Sequence, residues 1–301
     1  MKNFTKISLK IVSILAIVWS NQSFGMLRRF APKAGLPTTA VTLAQNRALC
    51  GDQGSDPMWI KANHAVERFR EIHGMKKIKP EELEQMSQQS EKTMDLLMGP
   101  VGQIPESYTA QQKISAEKFK TFIQPVLKKH DLENKVHVRF IDIPDKVSPA
   151  SAGGNSILIN KDFLNFDPTT QIAIIEHELT HIMYKDPAYT KRYKEILHAN
   201  PLLKHTHLLL FERRADTHSS IQSKSNAQSL LALNKTVNGG YAQQLKNHEM
   251  VLCLNDTTLN EFEKAQKLEC LTKKPTYLEE LVTYMTKKEA FEKTTPDVIV
   301  V

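Results

Sequence analysis

His177-Glu178-Leu179-Thr180-His181 is the stretch of this chain best suited to chemistry, because two imidazoles four residues apart bracket a carboxylate. On an α-helix that spacing sets both rings one turn apart on one face, where their neutral nitrogens can ligate one tetrahedral Zn²⁺ ion. Glu178 sits beside the pair without ligating. It can take a proton from the attacking water and pass it to the leaving amine of a cleaved peptide. The other reading is two core or exposed histidines on an amphipathic helix, so the surrounding sequence has to decide.

A metal site needs at least a third protein ligand. Glu212 supplies one, thirty-one residues after His181, within Phe211-Glu212-Arg213-Arg214-Ala215-Asp216. Glu212 and Asp216 are again four apart on a helical stretch and point to one side. Glu212 can complete a His₂Glu set with the fourth position left to water. Asp216 can accept the other ring N–H of a ligating histidine and so fix its tautomer. The alternative is a surface cluster of charges. Peptide hydrolysis also needs a group to stabilise the oxyanion, for which His218 is the first candidate, with Tyr241 and His248 behind it. His205-Thr206-His207 reads as a polar patch at a helix start, since i, i+2 spacing does not share a helical face.

H-E-L-T-H followed by E-R-R-A-D resembles the gluzincins, the thermolysin-like branch of zinc peptidases. The continuation His181-Ile182-Met183-Tyr184-Lys185-Asp186-Pro187 and the E-x-x-A-D form look most like the HtpX and CaaX-prenyl-protease-like members. The resemblance covers roughly residues 136–221. It implies His177, His181 and Glu212 as ligands of one zinc per chain, Glu178 as base and Asp216 as the group that orients a ligating histidine. It also implies a zincin-like fold in which a strand just before the active-site helix forms a sheet edge that a peptide can extend. Ser156–Asn160 is in the expected place. No family motif is found outside that window, and no membrane-spanning stretch follows the N-terminus, so the chain looks like a soluble relative.

The elements that must position these residues are legible in part. Asp167 as N-cap and Pro168 at the first helical position, then Ile172, Ile175, Leu179 and Ile182 on one face, predict a helix from about Pro168 to Lys185. Lys185-Asp186-Pro187 ends it with a cation and a breaker. A second helix is expected over Leu202–Ile221. Others are expected over Trp59–His73, Pro80–Met98, Lys113–Lys129, Leu259–Cys270 and Tyr277–Phe291. Val136–Ile141 and Ser156–Asn160 read as strands, with Pro149 and Gly153-Gly154 marking a turn between them. Gly239-Gly240 marks another break. The fold class that follows is α+β, predominantly α-helical, with a small sheet next to the H-E-x-x-H helix. The expected organisation is a single domain over 58–301 with its catalytic core at about 136–221.

The N-terminus suggests a location. Lys2, Lys6 and Lys10 surround the start of an apolar run, Ile11 to Trp19, and Ser23-Phe24-Gly25 has the small residues that a signal peptidase reads. Residues 1–25 are expected to be a secretory signal cleaved near Gly25, with an uncleaved anchor as the alternative. Residues 26–57 then form an irregular lead-in. The net charge is +7, and removing those three lysines leaves +4, which gives no reason to expect nucleic-acid or membrane binding. Cys50, Cys253 and Cys270 are odd in number. Cys253 and Cys270 could close a loop by a disulfide, or all three could be reduced thiols.

The sequence thus predicts a secreted or periplasmic zinc metalloendopeptidase acting on peptides or unfolded proteins. The alternative is a binding or chaperone-like protein that retains the zinc scaffold without proteolysis.

Overall fold

A computed structural model describes residues 56–143, 148–236 and 240–294. The expected signal over 1–25, nearly all of the lead-in over 26–57, and Cys50 lie outside these residues.

Asp56 caps the first described helix, its carboxylate accepting from Met58 N at 2.9 Å, and Pro57 opens α1, Pro57–Ile72. Pro80–Met98 forms α2. Thr109 and Gln112 form a reciprocal capping box that starts α3, Ala110–Phe122. The single helix expected over 113–129 is broken there: α4 is Gln124–Lys129, and Pro125, which lacks an amide hydrogen, accounts for the interruption.

Three strands follow, β1 His137–Ile141, β2 Ala150–Gly153 and β3 Ser156–Asn160, with a 3₁₀ turn at Lys161–Asn165. The sheet order is β1-β3-β2, with β1 parallel and β2 antiparallel to β3. Two expectations change here. The segment read as a turn is largely a strand, hidden because Ala-Ser-Ala-Gly has little β propensity; the turn itself is Gly154-Asn155, with Gly154 at φ +58°. β3, expected at the edge, is central, and β2 is the edge strand beside the histidine helix.

The remaining helices are α5 Pro168–Met183, α6 Asp186–Arg192, α7 Lys194–Ala199, α8 Pro201–Ser220, α9 Lys224–Thr236, α10 Tyr241–Leu254, α11 Glu261–Lys273 and α12 Tyr277–Thr294. Asp167 starts α5 as the sequence predicts, accepting from Thr169 N at 3.0 Å and Thr170 N at 3.1 Å. Its end comes earlier than expected. Lys185 turns left-handed at φ +56° and leads straight into α6, whose first residue is Asp186. Asn200 caps α8 through Leu203 N at 3.1 Å. Helices α9 and α10 were not expected from the sequence.

The fold is predominantly helical α+β, and α5 is its centre. One side, with Ile175, Leu179 and Ile182, packs with Phe140, Ile157, Ile159 and Phe163 of the sheet region and with Phe119, Ile123 and Leu127 of α3 and α4. On the other side Ala173 joins Trp59, Leu209, Leu230, Leu245, Leu278 and Leu281 from the helices around it. A helix buried on two sides holds its polar side chains wherever its neighbours leave room. No helix among the described residues is long and apolar enough to cross a membrane.

Cys253 and Cys270 are separate thiols, the first buried and the second exposed. The disulfide considered for them is not formed, for a geometric reason. α10 and α11 run antiparallel, as Lys246 Nζ bonded to Thr272 O at 3.0 Å shows, and Cys253 Sγ lies 3.9 Å from Lys264 O. Cys270 is therefore about 9 Å further along α11 at 1.5 Å per residue, beyond disulfide reach.

His207 faces the core rather than a solvent-exposed patch. Its ring lies 5.6 Å from Phe69 and 3.9 Å from Phe211, and Nε2 has no partner. Burial, aided by the Arg70 cation, pushes its pKa down to about 3. The unfolded chain thus takes up a proton here below pH ~6.5 that the folded chain refuses until about 3, so stability falls as the pH drops through that window. His207→Leu should remove this penalty. Measured by urea unfolding from pH 6.5 to 4, the parent should lose ground to the variant by up to about 1.4 kcal/mol per pH unit. A difference between the two that stays constant with pH would contradict the buried neutral imidazole.

Candidate metal centre

α5 and α8 are packed against one another, and this contact brings His177, His181 and Glu212 together. His177 Nε2 is 3.1 Å from His181 Nε2 and 3.2 Å from Glu212 Oε2, and His181 Nε2 is 3.8 Å from Glu212 Oε1. Two ligands on tetrahedral zinc at 2.0–2.1 Å lie about 3.3–3.4 Å apart; the two nitrogens stand close to that separation, and one ligand atom from each of the three residues falls within 4.8 Å of the others.

The protons on the rings are placed to match. His177 Nδ1 is 2.7 Å from Asp216 Oδ1, and His181 Nδ1 is 2.9 Å from Asp186 Oδ2. A carboxylate at Nδ1 holds the ring proton there and leaves Nε2 as a lone pair. The two Nε2 atoms and the Glu212 carboxylate then converge on one place, where either a ring proton shared with Glu212 or a metal ion can stand between them. The same field is visible in the histidines without metal: burial opposes a charge on His177, but Asp216 and Glu212 outweigh it and raise its pKa well above the usual range. His181 is likewise raised against burial, by Asp186 and Glu212. The donor set of two imidazoles and one carboxylate fits a divalent metal, zinc among them.

Asp216 has a second partner, the Tyr277 hydroxyl, which donates to Oδ2 at 2.5 Å. Tyr277 is the first residue of α12, so this helix reaches the centre from far along the chain. Neither Tyr277 nor Asp186 was singled out in the sequence. A lone tyrosine carries no spacing signal, and Asp186 was read only as part of a helix stop.

Glu178 is buried beside the triangle and is not one of its members. Burial raises its pKa and Glu212 adds to this, against the pull of the two histidines and of a hydrogen bond from the Ala152 amide. That bond ties the glutamate to β2. Because Ala152 sends its N–H to Glu178, the alternation of an antiparallel ladder turns the main-chain groups of Ala150 and Ala152 away from β3.

The oxyanion candidates are reordered. His218 is enclosed at 1% exposure, its ring 5.3 Å from Trp59 and 5.6 Å from His130, with its pKa pushed down to about 4 by burial. A ring so enclosed cannot reach a substrate. His248 is also turned elsewhere, with Nε2 at 2.8 Å from Thr206 Oγ1. Tyr241 is left as the candidate: it is partly buried, and its pKa is raised first by burial and then by the charges of Glu212, Glu178 and Asp216.

No family model, curated protein or solved structure matches the chain. The functional reading therefore rests on the site itself.

Asp216→Ala is expected to weaken metal binding about 10–100-fold, the usual effect of losing a carboxylate behind a ligating histidine. Tyr277→Phe should weaken it less, by freeing one oxygen of Asp216. Competition against a chromophoric chelator measures both. Parent-like affinity in the two variants would remove Asp216 and Tyr277 from the centre.

Proposed function

We propose that this protein is a zinc metallopeptidase that hydrolyses peptide bonds with Glu178 as general base. The observation that carries the reading is the convergence of His177, His181 and Glu212, with one ligand atom from each within 4.8 Å of the others and the buried carboxylate of Glu178 next in sequence to His177. A site built only to hold metal for structure has a fourth protein ligand and no need of that carboxylate. The resemblance of H-E-L-T-H and E-R-R-A-D to gluzincins supports the same reading.

Bound zinc would act as a Lewis acid toward the attacking water and the scissile carbonyl. Glu178, with its proton affinity raised by burial, accepts the proton of the water and delivers it to the departing amine. Asp216 and Asp186 keep the ring protons on Nδ1 of His177 and His181. The Tyr241 hydroxyl, kept protonated, donates to the oxyanion of the tetrahedral intermediate, a role taken here in place of His218.

An extended substrate lies along β2, the edge strand, where the Ala152 carbonyl turns away from β3 next to Glu178 and can pair with a substrate amide. β3 cannot serve, since both its sides are paired. The substrate class is a peptide or an unfolded protein, whose backbone is free to pair. The apolar run and small residues of 1–25 support action outside the cytosol, secreted or periplasmic.

Glu178→Gln should keep its zinc, measured by elemental analysis, and lose casein cleavage by about 10²–10⁴-fold. Cleavage by that variant at the parental rate would sink the mechanism and favour a zinc-binding scaffold. Tyr241→Phe should lower kcat about 10²–10³-fold with little change in KM. A rise in KM alone would assign Tyr241 to binding.

A further inference from the structure

Asp186 is the meeting point of a buried charge network that extends well beyond the H-E-x-x-H motif. Its Oδ2 faces His181 Nδ1 at 2.9 Å, while Oδ1 accepts from Arg70 Nη2 of α1 at 3.2 Å and from Arg214 Nη2 of α8. All three residues are buried, Arg214 completely. Each guanidinium is fixed from a second direction. Arg70 Nη1 bonds Glu67 Oε1 at 2.8 Å and its plane lies 3.6 Å from the Tyr189 ring centre. Arg214 Nη1 bonds Asn63 Oδ1 at 3.3 Å, with the Tyr184 ring 4.5 Å away.

Stability alone does not account for this arrangement. Taking two cations and a carboxylate out of water is costly, and an apolar cluster of the same volume generally serves stability as well or better. The backbone adds to the cost. Lys185, just before Asp186, adopts the left-handed conformation at φ +56°, which costs a non-glycine residue roughly 1–2 kcal/mol. What the network does specify is orientation. Two planar guanidinium groups, each anchored at its other nitrogen by Glu67 or Asn63, converge on Oδ1 and hold the carboxylate in one place, and the carboxylate in turn sets the plane of the His181 ring and the direction of its Nε2 lone pair.

We propose that Arg70 and Arg214 are positioning residues for the metal centre, acting through Asp186 on His181, so that metal affinity depends on the docking of α1 against α8. The proposal rests on the metallopeptidase reading above and assigns α1 a part in it. His177 is served by a different device, the neutral hydroxyl of Tyr277 behind Asp216. The two histidines are thus oriented independently, His177 from the last described helix and His181 from the first.

The test measures zinc affinity by chelator competition, and the visible spectrum after substitution with Co²⁺, in purified protein. Arg70→Met and Asp186→Asn are expected to weaken zinc about 10–100-fold and to alter the cobalt bands. Arg70→Lys keeps the charge but not the fork and should recover only part of the loss. Arg139→Met is the control. Arg139 is a buried arginine paired with Glu91 at 2.8 Å on the sheet and touches no ligand, so its loss should lower the melting temperature while leaving affinity and spectrum unchanged. If Arg70→Met does not fold, Arg70→Lys and Asp186→Asn are judged by the same two readouts. Parental affinity and spectrum in the folded variants would overturn the proposal, as would an equal loss of zinc in Arg139→Met. A parent protein that takes up no zinc would overturn the metallopeptidase reading itself, an outcome distinct from either.

Discussion

His177, His181 and Glu212 are held with one ligand atom from each within 4.8 Å of the others, and the rest of the molecule is arranged to keep them together. His177 and His181 come from one helix and Glu212 from another, so the α5–α8 contact carries the constraint. That contact is held by apolar packing on both sides of α5, with the sheet on one side and the helices on the other. Packing alone brings the ligands near. Their orientation comes from Asp216 and Asp186, each bonded in turn to a group from a distant helix.

The parts of this arrangement that were legible in the sequence are the local ones. H-E-x-x-H, the N-cap at Asp167 and the apolar face through Ile175, Leu179 and Ile182 depend on spacing within one helix, and spacing is what a sequence displays directly. Glu212 and Asp216 were legible for the same reason. Their pairing with His177 across two helices followed from chemistry, because a two-histidine site needs a third ligand and its rings need hydrogen-bond partners.

What was missed depends on tertiary contact or on weak propensity. β2 is made of Ala, Ser, Ala and Gly, residues that do not declare a strand, and it forms against the apolar β3. Moving β3 from edge to centre follows from that single omission. His218 looked suited to the oxyanion because it lies two residues after Asp216. On a helix that offset turns a side chain to another face, and here it meets Trp59 and His130. Tyr277 starts a helix from which it reaches Asp216, and nothing near it in the sequence marks it. Asp186 is hidden in plain view, since an Asp-Pro pair after a lysine ends helices often enough to need no other explanation.

The motif-bearing stretch, about residues 136–221, contains every proposed ligand and the proposed base, yet groups that orient the histidines lie on both sides of it: Arg70 before, Tyr277 after. The signature is consequently not a portable module. Transplanted by itself into another scaffold, it would bring the ligands without the means of aiming them, and a designer borrowing this site would have to borrow the helices at either end of the described chain as well.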